Sequence, residues 1–180
     1  MTLTEREYKE FLHAHLDLLF FVGKQLNIFS ADTEFNDFVD LDLEEKFKCR
    51  QAFLENENLL DDYLSVKTDK LSSNRIGILT GFKRKIKSDF IILKCLRDSA
   101  IFMDIEDNKF YSVKALSDPF NVFFADFPVL ITATILPFKD KIIYDGFIQG
   151  GGLYFGPETT WTMNEDYKKA KRKKAIVTTL

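Results

Sequence analysis

Two runs of basic residues are the side chains whose type and spacing point most directly to chemistry: Lys83, Arg84, Lys85 and Lys87 in one, Lys171, Arg172 and Lys174 in the other. Clustered cations of this kind suit a row of phosphates or carboxylates, so the expected partner is anionic, either nucleic acid or an acidic protein. The net charge of −3 is far from that of a strongly basic nucleic-acid binder, so the signal lies in the clustering and not in the total. A lysine-rich helix is also commonly no more than a solvated face. A second set, Asp118, Asp140, Asp145 and Glu158, sits beside turn-forming residues. If two or three of these carboxylates met in space, they would permit metal-assisted hydrolysis, although turn aspartates more often serve caps and Asx-turns.

Other chemistries find little support. His13 and His15 are two residues apart on a helical pattern and face different sides, so they do not share a metal. No Gly-x-Ser-x-Gly elbow occurs, and Cys49 and Cys95 lack the spacing of a zinc site or a disulfide framework. Gly150-Gly151-Gly152 lacks the flanking pattern of a nucleotide loop and reads as a hairpin turn. No catalytic group, metal or cofactor is therefore assigned.

The elements that must position these residues fall into two parts. Residues 1–74 hold 16 Asp and Glu against 8 Lys and Arg, whereas residues 75–180 hold 12 against 17, an asymmetry that favours mutual attraction. Residues 1–66 read as helical. Thr4 and Glu7 fit a capping box, and Tyr8, Phe11, Leu12, His15, Leu18, Leu19 and Val22 repeat at helical spacing. Leu16 to Val22 is apolar on nearly every side except Asp17, which predicts a helix sandwiched between surfaces or a homodimer contact. After a polar stretch, Ser30 to Asp42, come a second amphipathic helix from Leu43 and a short third one around Leu59 to Leu64. Lys67 to Asn74 is the expected linker.

Residues 75–180 read as β-rich. Ile76 to Ile86, Phe90 to Leu96, Ala100 to Ile105 and Phe110 to Leu116 are expected as four meander strands, and Val129 to Leu136, Lys141 to Ile148 and Leu153 to Phe155 as three more. Ser117-Asp118-Pro119 should open a short helix, Thr162 and Glu165 a final one through Lys174, and Ile176 to Leu180 an edge strand. The fold class is thus α+β: N-terminal helices packed on a curved antiparallel sheet or small β-barrel, with a C-terminal helix. The 19 phenylalanines are expected mainly to fill the core. No apolar window approaches the roughly 20 residues of a membrane span, and the acidic start lacks a signal-peptide pattern, so the expected compartment is the cytoplasm.

The segment Leu136 to Gly146, with Tyr154-Phe155-Gly156 and Asn164-Glu165-x-Tyr167-x-x-Ala170, resembles a family of uncharacterised bacterial proteins over residues 76–180. Some of those relatives are joined to a SEC-C cysteine-rich zinc motif, which is absent here, so the resemblance implies a bacterial, cytoplasmic protein and no activity. The function expected is a non-enzymatic binding module for an anionic partner. A hydrolase built on the turn carboxylates and a homodimer formed through the first helix are the alternatives.

Overall fold

A computed structural model describes residues 2–180, with Thr68 described by its backbone alone. Two compact units divide the chain, one of Lys9–Lys83 and one joining the segment through Tyr8 to Arg84–Leu180. Together they make an α+β protein, and among the described residues no helix is long and apolar enough to cross a membrane.

The helical unit is built on α1 (Glu5–Gln25), followed by α2 (Phe35–Asp40), α3 (Leu43–Glu55), α4 (Asn58–Lys67) and α5 (Ser73–Gly81). Phe11, Ala14, Leu18, Leu19 and Val22 of α1 are wholly buried, the i, i+3, i+4 stripe that the sequence predicts. The flanks of that stripe are used as well. Phe20 meets the rings of Phe29, Phe35 and Phe38, and Phe21 meets Tyr63 edge-on at 5.3 Å. Rings of its own unit therefore pack on part of the apolar band from Leu16 to Val22, whose Leu16, Phe20 and Phe21 remain half-buried. Gly23 lets this packing close, because a Cβ there would stand 2.0 Å from the Phe29 ring and 2.8 Å from the Cys49 sulfur. Burial also pushes the Cys49 thiol up to about 11, leaving it unreactive at neutral pH.

Two expectations in this unit are corrected. The polar stretch from Ser30 to Asp42 contains α2, because the Glu34 and Asp37 side chains cap each other's backbone and Phe38 is buried. Ile76 to Ile86 is not a strand. Ser72 accepts the Arg75 N–H at 3.3 Å to open α5, and Ile78, Leu79 and Phe82 bury at helical spacing, overriding the β-preference of the isoleucines.

His15 lies wholly inside this unit, with Phe11 and Phe82 rings at 5.4 and 5.1 Å. Burial, assisted by the charge of Arg50, lowers its pKa to about 3. The unfolded imidazole takes a proton near 6.5 while the folded one stays neutral to about 3, so the unfolded state binds more protons in between. Stability then falls as pH drops through that window, by up to about 1.4 kcal/mol per unit. Urea unfolding at pH 7 and pH 5 should differ by about 2 kcal/mol, and His15→Leu should remove at least half of that difference.

The second unit holds β1 (Ile86–Cys95), β2 (Ala100–Asp104), β3 (Phe110–Lys114), α6 (Phe120–Phe123), β4 (Val129–Phe138), β5 (Lys141–Tyr154) and α7 (Pro157–Arg172). β1, β2 and β3 form an antiparallel meander, β4 returns beside β1, and β5 pairs with β4. The ring of pairings closes between β3 and β5 through only two parallel residue pairs, Val113 with Ile142 and Lys114 with Ile143. The rest of β3's free edge takes the chain after α7, where the Ser112 N–H donates to Val177 and the Val177 N–H to Phe110. The expected terminal strand is thus a single bridge. At the other terminus Thr4 and Glu7 form the predicted capping box, and Glu7 also binds Lys141 at 2.6 Å. That hydrogen bond is the main cause of a Glu7 carboxyl held down at about 2.

Five strands replace the six or seven expected. Gly150 and Gly151 have φ of +89° and +94° and lie inside β5 at a register shift opposite Leu130 and Ile131. They are a bulge and not a hairpin turn, and the supposed seventh strand is the end of β5. A Cβ on Gly151 would come within 2.5 Å of the Phe124 ring. α7 begins at Pro157, earlier than the Thr162 capping pattern suggests, because proline at the first helical position is itself a start signal.

Alternation along the strands divides their side chains between two apolar layers. Inward, the rings of Tyr111, Phe90, Phe102, Phe120 and Tyr144 form a chain with neighbouring centroids 5.2–6.1 Å apart. Outward, Ile91, Leu93, Ile101, Met103 and Phe110 pack under Met163 and Tyr167 of α7. Most phenylalanines are accounted for by these layers and by the helical core.

Candidate functional site

The basic residues singled out in the sequence stand on several elements. Lys83 ends the helical unit and binds Asp61 at 2.5 Å, so its charge is engaged. Arg84 donates to a backbone oxygen of Leu180 at 2.7 Å, and Lys85 has interactions of its own. Lys87 is exposed near the start of β1, with the parity of Ile91 and Leu93, and therefore on the outer face of the sheet. Lys171, Arg172 and Lys174 are exposed at the end of α7 and beyond it, and form no ion pair among the described residues. Lys87 and Lys94, seven residues further along β1, are about 23 Å apart at a strand rise of about 3.3 Å per residue.

A residue that the sequence reading passed over joins this helix to the sheet. Lys94, at the end of β1, donates from Nζ to Oδ1 of Asn164 on α7 and lies 4.7 Å over the Tyr167 ring. Partial burial lowers its pKa, and the charges of Lys168 and Lys171 lower it further. Three ammonium groups thus share one neighbourhood. Lys168 is matched by Glu165 at 2.7 Å, but neither Lys94 nor Lys171 has a carboxylate within ion-pair distance among the described residues. Such crowding raises the local potential and is relieved by an incoming anion.

Helical spacing adds an aromatic group to the cations. Trp161, Glu165, Lys168 and Arg172 recur every three or four residues and share one stripe, with Asn164 and Lys171 on its β1 side. Trp161 is 66% exposed, unusual for the chain's only tryptophan, and it has no ring partner among the described residues. Its spacing from Lys168 was available in the sequence. The convergence of Lys94 with α7 was not, since it depends on how the helix crosses the sheet.

Of the four carboxylates, two stand near one phenol and two on other elements. Asp145 is buried and accepts the Phe147 N–H at 3.1 Å, and Asp118 is exposed but close enough to Tyr144 for both charges to act on its phenol. Burial above all, then Asp145, Tyr8 and Asp118, push the Tyr144 phenol up. Asp140 is exposed in the β4–β5 turn beside Lys141 at 3.1 Å, and Glu158 is exposed on the first turn of α7. Among the described residues no group of three or more His, Cys, Asp or Glu side chains could hold a metal ion. Comparison of the chain with protein-family models, with curated proteins and with solved structures finds no match.

Proposed function

We propose that this protein is a non-enzymatic binding module for an anionic partner, and that single-stranded nucleic acid is the partner its α7–β1 face fits best. The carrying observation is Lys94 docked on Asn164 and Tyr167 of the lysine-rich α7, on a surface shared with an exposed tryptophan. Phosphates would neutralise Lys94 and Lys171 and compete with Glu165 for Lys168, releasing counterions, while a base unstacked from its neighbours would lie against the indole. The architecture agrees. Three hairpin-connected strands, a fourth returning beside the first and a fifth closing the ring weakly make a five-stranded Greek-key barrel, the plan of the OB-fold. Strands 2 and 3 of such barrels commonly meet the oligonucleotide, whereas here their outer side chains lie beneath α7. In this reading α7 takes over as the contact surface. Free thiols at Cys49 and Cys95 suit a reducing compartment, and we place the protein in the cytoplasm.

The test is a competition at 20 mM salt among a single-stranded 12-mer, its duplex and polyglutamate, followed across a salt series. The single strand should bind best, with a log–log salt slope of about −2 to −3 for three or four phosphate contacts. Preference for polyglutamate would reassign the face to an acidic protein, and no binding at 20 mM salt would remove the reading.

A further inference from the structure

The helical unit contains a cleft that the α7–β1 reading does not use. It has a volume of about 220 Å³ and lies among α1, α4, α5 and the turn between the last two. Phe20 and Phe21, half-buried, give it aromatic walls, and the buried Tyr63 stands behind them. Lys24, Lys67, Lys70 and Arg75 line it against one acid, Asp17.

The charges are not equivalent. Arg75 and Asp17 bind each other at 2.9 Å, and His13 stands 3.7 Å from the same carboxylate oxygen, so this pair is internally balanced. Lys24 lies over Phe20 and Phe29 and donates to the Ala31 carbonyl. Lys67 and Lys70, by contrast, have no ion pair or hydrogen bond from their ammonium groups among the described residues. Tyr63 is held as a neutral phenol, its pKa pushed up to about 12 by burial and by the Asp17 charge. Aromatic walls with two unspent cations at the rim fit a ligand with a flat apolar ring and an acidic group. The volume is below the roughly 300–1,000 Å³ of drug-sized sites, which limits the occupant to about one ring and its acid.

We infer that this cleft is a binding site for a small aromatic anion, the ring lying against Phe20, Phe21 and Tyr63 and the acidic group meeting Lys67 and Lys70. Phenyl phosphate, benzoate, benzyl alcohol and inorganic phosphate are the probes, titrated into the full chain at pH 7 with aromatic NMR shifts as the readout. The two aromatic anions should move the Phe20, Phe21 and Tyr63 signals saturably and bind about tenfold more tightly than the neutral alcohol or phosphate alone. Lys67→Gln with Lys70→Gln should weaken them at least fivefold while the melting temperature holds, since neither ammonium supports the fold. Failure of every probe to bind at millimolar concentration, equal binding of benzyl alcohol, or full affinity in the double variant would each overturn the assignment. Trp161 emission reports any binding of the same probes at the α7–β1 face, so that outcome is read separately from the Phe20, Phe21 and Tyr63 signals.

Discussion

Changing Lys94, Lys168 and Lys171 together to glutamine is expected to lower affinity for a single-stranded 12-mer on the order of 100-fold at low salt, at about 1 kcal/mol per charge-assisted contact. The slope of log affinity against log salt should flatten by about 2, because each lost phosphate contact on a single strand accounts for about 0.7. The fold should survive. Lys94 is disfavoured as a cation by burial and by its two neighbours, and glutamine can still hydrogen-bond Asn164. The contrast is Lys83→Gln, whose charge is engaged by Asp61 in the helical unit, and which should alter affinity less than about twofold. Equal losses in the two variants would mean that net charge, and not the α7–β1 cluster, governs binding.

The largest effect on stability is expected from Phe102→Ala. Phe102 is fully buried, with the Phe90 ring at 5.7 Å and the Phe120 ring at 5.2 Å, and it links rings from β1, β2 and α6. Removing it leaves a cavity that a sheet paired on both sides of β2 cannot easily collapse, costing about 3–5 kcal/mol. That is a large part of the roughly 5–15 kcal/mol available to a folded domain. Phe123→Ala, in α6 three residues after Phe120 but half exposed, should stay within about 0.5 kcal/mol. Urea unfolding of both variants checks the difference, and a cost at position 123 to match that at 102 would refute the assignment of inner and outer rings.

What could be read from the sequence was local. Thr4 and Glu7 name the start of α1 because both halves of the capping box lie within one turn, and the buried stripe from Phe11 to Val22 follows from the helical period alone. β2 and β3 are legible because turn residues bound short β-branched and aromatic runs. Ile76 to Ile86 misleads for the opposite reason. Isoleucines favour strands on average, and only the packing of Ile78, Leu79 and Phe82, together with the Ser72 cap, decides for helix. Gly150 and Gly151 carry a similar ambiguity, since positive φ serves a hairpin turn and a bulge alike.

The candidate site was half legible. Lys171 and Arg172 stand in an evident basic run, and Trp161 lies on their helical face by counting. Lys94 sits 70 residues from Asn164 in sequence, and nothing along β1 marks it as the cation that α7 would cover. The carboxylate alternative likewise could be judged only in three dimensions, where Asp118 and Asp145 gather around Tyr144 while Asp140 and Glu158 stand on other elements.

Trp161 provides the most direct measurement, because it is the chain's only tryptophan and lies on the face in question. Its emission should be followed while a single-stranded 12-mer is added at 20 mM salt. Saturable quenching that is reversed by salt, and absent in the Lys94, Lys168 and Lys171 variant, is the predicted result. Binding of the oligonucleotide with no change in Trp161 emission would contradict the account and place the anionic partner elsewhere on the protein.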